Sequence, residues 1–92
     1  LKRGAEVALI LLADDDEMLL PLVVDALLAQ GHEVITAVDG ERACDLTRNH
    51  AFDLIVLDYD MPKLTGLEVL THLKTTMPSL PPTIMLTVKG DP

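Results

Sequence analysis

Two clusters of acidic residues each follow a short apolar segment of this chain. The clusters are Asp14, Asp15 and Asp16 after residues 7–13, and Asp58 and Asp60 after residues 54–57. Crowded carboxylates repel one another and raise one another's pKa unless a cation lies between them. Oxygen ligands suit a hard divalent cation, and Mg²⁺ is the usual one where phosphate is handled. If the two apolar segments are neighbouring strands, the sequence predicts a magnesium site.

Helix capping is the alternative explanation for part of this acidity. It suits Asp16 and partly Asp14, because a helix is predicted to begin just after them. It does not suit Asp58, since Tyr-Asp-Met-Pro follows that residue instead of a helix. A carboxylate beside a cation can act as a nucleophile toward a phosphoryl group, with a nearby hydroxyl holding one phosphoryl oxygen. Asp58 is the candidate nucleophile, and Thr87, at the end of the last apolar segment, is the candidate hydroxyl.

Apolar segments and helical segments alternate along the chain, and they must position these residues. Strands are expected at residues 7–12, 34–37, 54–57 and 84–86, and helices at 18–30, 39–49 and 66–76. Alternation at this spacing predicts right-handed crossovers and a parallel α/β sheet with helices on both faces. Such sheets bind ligands outside the carboxyl ends of their strands.

Local signals mark the third helix most clearly. Thr65, with Glu68 three residues later, is a capping-box pair and predicts the start of that helix. Its apolar stripe is expected to consist of Leu67, Leu70 and Leu73.

Composition excludes several classes of protein. A length of 92 residues favours one domain, and a hydrophobic content of 49% excludes a disordered chain. The net charge of −8 would repel a phosphate backbone, so no direct nucleic-acid binding is expected. No apolar run reaches the roughly 18 residues of a membrane span, and no cleavable signal is recognised, so a cytoplasmic protein is predicted. The single cysteine, Cys44, permits no internal disulfide and is expected to pack in the core.

Three motifs together resemble the receiver domain of bacterial two-component response regulators. They are Leu-Ala-Asp-Asp-Asp ending at Asp16, Leu-Asp-Tyr-Asp-Met-Pro beginning at Leu57 with Gly66 beyond it, and Pro-Thr-Ile-Met-Leu-Thr ending at Thr87. Each motif is weak alone, but their order and positions span nearly all of the chain. The resemblance implies a flavodoxin-like, doubly wound parallel sheet with strand order 2-1-3-4.

The resemblance also implies roles for individual residues. Asp58 would accept a phosphoryl group from a histidine kinase or a phosphotransfer protein in a Mg²⁺-dependent reaction, and would itself be a metal ligand. Asp15 would bind Mg²⁺ directly, Asp14 would bind it through water, and Asp60 would bind it through its backbone carbonyl. Thr87 would be the switch hydroxyl that follows the phosphoryl group. Asp60 stands where many receivers have Asn, which adds a charge near the metal.

The C-terminal end departs from the receiver pattern. Receivers continue with a fifth strand, which ends in a lysine that pairs with the phosphoryl group, and with a fifth helix, whereas this sequence stops at Pro92. The interpretation is one receiver-like domain over residues 1–92 that lacks these elements. The first helix is apolar nearly all round, so a homodimer that covers it and the open fourth strand is predicted. The alternative is that the sequence is cropped and that a further segment of a longer chain covers these surfaces.

Two other functions remain open. The missing lysine favours a receiver-like interaction or dimerisation module with weak or no phosphorylation. The Asp-Tyr-Asp run at Asp58 also resembles the nucleophile motif of haloacid-dehalogenase-type phosphatases, although that family places the motif on its first strand and continues into Gly-Thr. The preferred interpretation is a signalling domain that is not an enzyme.

Overall fold

The computed structural model describes residues 7–86, which form alternating strands and helices. The strands are β1 (Leu9–Ala13), β2 (Glu33–Ala37), β3 (Leu54–Asp58) and β4 (Thr83–Leu86). The helices are α1 (Leu19–Ala29), α2 (Gly40–Asn49) and α3 (Gly66–Thr76). Every element expected from the sequence is present, and each end lies within two residues of its predicted position.

The strands form one parallel sheet in the order β2-β1-β3-β4. Ala13 at the end of β1 is in register with Ala37 of β2 and with Leu57 of β3. The residues that follow β1 and β3 therefore leave the sheet side by side at its carboxyl edge. The predicted parallel sheet and its strand order 2-1-3-4 are confirmed.

The central strands are apolar on both faces because helices cover both faces. Right-handed crossovers place α1 on one face and place α2 and α3 on the other. Leu11, Ile55 and Leu57 point toward α2 and α3 and are fully buried there. Cys44 of α2 packs in the same cluster, as predicted. At the edge of the sheet, Ile84 of β4 is 48% exposed.

Side-chain caps fix the starts of α2 and α3. The predicted capping box is present, since the Thr65 hydroxyl accepts the Glu68 N–H at 3.2 Å and the Glu68 carboxylate accepts the Thr65 N–H at 2.9 Å. At α2, Oδ1 of Asp39 accepts the Arg42 N–H at 2.7 Å. These bonds define where the loops after β2 and β3 join their helices.

The start of α1 depends on a turn that precedes it. Oδ1 of Asp16 accepts the N–H groups of Met18 and Leu19 at 3.0 and 3.1 Å, which agrees with the capping explanation of this acid. The helix exposes large apolar side chains, since Leu22 and Leu28 are 67% and 51% exposed, and Met18 just before it is 85% exposed. Among the helices of residues 7–86, none is both long and apolar enough to cross a membrane.

The prediction that Leu67 belongs to the buried apolar stripe of α3 is wrong, because this side chain is 52% exposed. The buried face instead carries Gly66, Val69 and Leu73, while Leu70 packs partly against the core. A Cβ atom at Gly66 would lie 2.5 Å from the carbonyl oxygen that ends β3, so this glycine must face the sheet. Val69 and Leu73, three and seven positions after Gly66, lie on the same side of the helix as this glycine. Leu67 therefore faces solvent.

Candidate functional site

Carboxylates from two strands converge at the carboxyl edge of the sheet. Asp14 follows β1 directly, Asp15 is next to it, and Asp58 is the last residue of β3. One carboxylate oxygen of each residue lies within 4.8 Å of the other two. Oxygens on opposite sides of one Mg²⁺ are about 4.2 Å apart, since each Mg–O distance is about 2.1 Å. The spacing is therefore close to that of a site for a single ion.

Two of these carboxylates are buried. Asp14 and Asp58 are 3% and 7% exposed, whereas Asp15 is open to solvent. Oδ1 of Asp14 accepts the Asp16 N–H at 2.9 Å, which fixes this carboxylate at the end of β1. Buried charges are normally paired, but within residues 7–86 neither Asp14 nor Asp58 forms an ion pair. The edge therefore holds negative charge that the described side chains do not neutralise.

The electrostatics of Asp58 follow from this crowding. Burial raises the pKa of the Asp58 carboxyl above its usual value, and the charges of Asp14, Asp15 and Asp60 raise it further. A hydrogen bond from the backbone of Asp60 acts in the opposite direction. The charged form of Asp58 is thus disfavoured in the metal-free chain, and a cation among the carboxylates would favour it.

Asp60 lies in the loop of residues 59–65, which joins β3 to α3. Tyr59 ties the start of this loop to two elements, since its N–H donates to the Leu86 carbonyl oxygen at 2.9 Å and its carbonyl oxygen accepts the Gly66 N–H at 2.8 Å. A hydrogen bond from the Asp60 backbone to the Asp58 carboxylate keeps Asp60 beside the cluster. The loop thus places backbone polar groups next to the carboxylates, while a ligand role for the Asp60 carbonyl stays a prediction.

Comparison with known proteins decides the family. Residues 10–92 match the response regulator receiver domain. This chain belongs to that family. This chain is 44% identical over 81 residues to the transcriptional regulatory protein CpxR of Escherichia coli strain K12. The matched stretch covers 88% of this chain and 34% of CpxR. It thus spans about a third of the length of CpxR and of the regulatory protein PhoP of Bacillus subtilis.

Solved structures give the same result. The Francisella response regulator 1452 receiver domain superposes with a TM-score of 0.85 and 28% identity, covering 91% of this chain and 69% of that one. TrrA from Thermotoga maritima, in complex with Mg²⁺-BeF, superposes with a TM-score of 0.83 and 31% identity, covering 90% of this chain and 71% of that one. Another structure shows TrrA with the histidine kinase ThkA. The resemblance inferred from the motifs is therefore confirmed.

The predicted site residues of the receiver domain are only partly placed. The structure brings Asp14, Asp15 and Asp58 together, as the sequence predicted for strands that lie side by side. Thr87, the predicted switch hydroxyl, lies outside the described residues, which end at Leu86. Leu86 is in register with Asp58, so the described part of β4 ends beside the candidate nucleophile.

Sequence reasoning missed a contact between the loop of residues 59–65 and the N-terminal end of α2. Nζ of Lys63 lies 3.8 Å from Oδ2 of Asp39 and 3.8 Å from Oε1 of Glu41. Lys63 also has a φ of 72°, in the left-handed region that residues with a Cβ atom seldom adopt. The local signal, Asp39 followed by Gly40, predicts a helix start but carries no information about the loop beside it.

Proposed function

We propose that the chain is the phospho-accepting receiver of a signalling relay, in which Asp58 takes a phosphoryl group from a histidine kinase or a phosphotransfer protein. The observation that carries the proposal is the buried Asp58 carboxylate, within 4.8 Å of Asp14 and Asp15 oxygens at the end of a parallel strand. Membership of the receiver family supports this role. The complex of TrrA with the histidine kinase ThkA supports a partner of the same class.

The donor set fits Mg²⁺. Asp15 and Asp58 would supply carboxylate oxygens directly, Asp14 would do so through water, and Asp60 is proposed to add its backbone carbonyl oxygen. These are the hard oxygen ligands that Mg²⁺ prefers, and neither histidine nor cysteine joins the described group. When bound, Mg²⁺ would neutralise the carboxylates and the charge of the phosphoryl oxygens. The Mg²⁺-BeF complex of TrrA supports this assignment.

In the proposed reaction, an Asp58 carboxylate oxygen attacks the phosphorus atom of a phosphohistidine. A P–O bond forms to Asp58 while the P–N bond breaks, and the imidazole nitrogen leaves with the bonding electron pair. The hydrogen bond from the Asp60 backbone orients the attacking carboxylate. Asp58 itself is 7% exposed, so the surrounding chain shields its carboxylate from most solvent. The Thr87 hydroxyl is proposed to donate a hydrogen bond to a phosphoryl oxygen.

Labelling by a small phosphodonor tests this proposal. The chain is incubated with acetyl phosphate with and without Mg²⁺, and the site of labelling is found by mass spectrometry. One phosphoryl group on Asp58 is expected, and only with Mg²⁺. Asp58→Asn should abolish labelling, whereas Asp25→Asn, on the exposed side of α1, should leave it unchanged. Undiminished labelling of Asp58→Asn would reject the site.

A receiver-like module that pairs with a second copy of the chain is the alternative. The observation that favours it is the exposed apolar surface of α1, with Met18, Leu22 and Leu28 each more than half exposed. Sedimentation velocity over a range of concentrations tests it, because a homodimer should dissociate on dilution and in Leu22→Glu.

A third candidate, the haloacid-dehalogenase-type phosphatase, would show sustained phosphate release from a phosphate monoester.

A further inference from the structure

The loop of residues 59–65 is in direct backbone contact with the N-terminal end of α2. The Gly40 N–H donates to the Pro62 carbonyl oxygen at 3.3 Å. A Cβ atom at Gly40 would lie 2.3 Å from the Leu64 carbonyl oxygen, so a residue with a side chain would force one of the two segments to move. The position of the loop is therefore set partly by α2, which is not part of the carboxylate cluster.

Lys63 adds a charged contact to this junction. Its ammonium lies 3.8 Å from carboxylate oxygens of both Asp39 and Glu41. Asp39 is itself fixed, because its other oxygen caps α2 at the Arg42 N–H and its side chain is only 18% exposed. Lys63 thus has an anchored partner on a different element of the fold.

The backbone at Lys63 is held in an unfavourable conformation. The Leu64 N–H donates to the Pro62 carbonyl oxygen at 2.8 Å, which closes a three-residue turn with Lys63 at its centre. With a φ of 72° at the central residue, this is the rare and strained form of the γ-turn. Strained residues persist where the surrounding structure fixes them, and they gather at functional sites.

We propose that Lys63 is a positioning residue for the divalent cation. Its ion pairs with Asp39 and Glu41 hold the strained turn against α2. Pro62 stiffens the short segment between Asp60 and Lys63, because its ring fixes the backbone angle φ. The turn at Lys63 therefore fixes the position of Asp60, whose backbone carbonyl oxygen is the proposed ligand. This inference deepens the proposed function and rests on it, since it concerns the same metal site.

A positioning role and a purely electrostatic role have opposite consequences for Mg²⁺ affinity. A positive charge on the chain repels a bound cation, so loss of the Lys63 charge alone would strengthen Mg²⁺ binding or leave it unchanged. Loss of the contact that holds the loop would weaken it. The sign of the change therefore separates the two roles.

Tyrosine fluorescence provides the assay. Tyr59 is the only tyrosine in a chain without tryptophan, and it is adjacent to Asp58. Mg²⁺ titrations of the wild-type chain, Lys63→Gln and Lys63→Glu would give the affinities. Because exposed ion pairs are weak, we expect about two- to fivefold weaker binding in Lys63→Gln and a larger loss in Lys63→Glu. The charge-swapped variant Lys63→Glu/Glu41→Lys should recover a substantial part of that loss.

Lys74→Gln is the matched control, because it removes the same charge from the last turn of α3. Its Mg²⁺ affinity should equal or slightly exceed that of the wild-type chain. Urea unfolding in EDTA should show that Lys63→Gln remains folded. Unchanged or tighter Mg²⁺ binding in Lys63→Gln would overturn the positioning role alone. Absence of Mg²⁺ binding by the wild-type chain would overturn the proposed function as well.

Discussion

Asp58→Asn is expected to stabilise the metal-free chain. Asp58 is buried, and its carboxylate lies within 4.8 Å of oxygens of both Asp14 and Asp15. Asparagine has nearly the same size and keeps an oxygen that can accept the Asp60 hydrogen bond. The substitution thus removes repulsion between like charges while it leaves the packing in place.

The size of this effect follows from the separation of the charges. Two unit charges 4.8 Å apart repel by about 1 kcal/mol in bulk water and by about 3.5 kcal/mol at an effective dielectric constant of 20. Asp15 is solvated and contributes near the lower value, whereas buried Asp14 contributes more. We expect the free energy of unfolding to rise by about 1–3 kcal/mol at neutral pH.

The gain should depend on pH in a defined direction. Because the pKa of the Asp58 carboxyl is raised in the folded chain, the folded state holds the proton of this carboxyl more tightly than the unfolded state does. As pH rises from the ordinary value of 3.8 through the raised value, the wild-type chain loses stability, and above that range the loss is complete. The advantage of Asp58→Asn should therefore grow as pH rises above the ordinary pKa and vanish below it.

Urea unfolding in EDTA, followed by circular dichroism, measures the difference at neutral and acid pH. Asp25→Asn, an exposed substitution on α1, should leave stability nearly unchanged. Excess Mg²⁺ should reverse the order, because a ligand that binds only the folded state stabilises it, and Asp58→Asn loses a ligand. If Asp58→Asn were no more stable than the wild-type chain in EDTA at neutral pH, the carboxylates would not repel as inferred.

Three further outcomes are expected. Asp15→Asn should weaken Mg²⁺ binding more than any other side-chain change outside Asp58, and an unchanged affinity in a fluorescence titration would reject Asp15 as a ligand. Gly66→Ala should lower the free energy of unfolding by about 1–3 kcal/mol, because its Cβ would lie 2.5 Å from a backbone oxygen; urea unfolding measures this. Thr65→Ala removes one half of the capping box and should cost about 1 kcal/mol by the same measurement, whereas Thr65→Ser should cost less.

Elements with strong local signals were predictable from the sequence. The capping pair Thr65 and Glu68 marks the start of α3, and the structure places that helix at the predicted residues. The alternation of apolar and helical segments predicted the parallel sheet, since few other arrangements bury such strands on both faces. The meeting of Asp14 and Asp58 followed once β1 and β3 were taken as neighbours.

Features that depend on contacts between distant segments were not predictable. The leucines of α3 recur every three residues, which predicts one buried stripe, so the pattern did not show that Gly66 must face β3 and that Leu67 must point outward. The contact of Lys63 with Asp39 joins a loop to the start of α2, and the local signal at Asp39 predicts the helix start but not this contact. In both places a backbone approach, and not the hydrophobic pattern, determines the arrangement.

The hydrogen bond between Tyr59 and Leu86 links the candidate site to the edge strand β4. Within the described residues β4 pairs only with β3, and Ile84 is half exposed, so this strand should open at a lower free energy than the whole domain. Each opening breaks the Tyr59–Leu86 bond, and Tyr59, the residue after Asp58, is then held by the bond between its carbonyl oxygen and the Gly66 N–H. Amide hydrogen exchange at Tyr59 should therefore report how often β4 separates from β3 beside the candidate site.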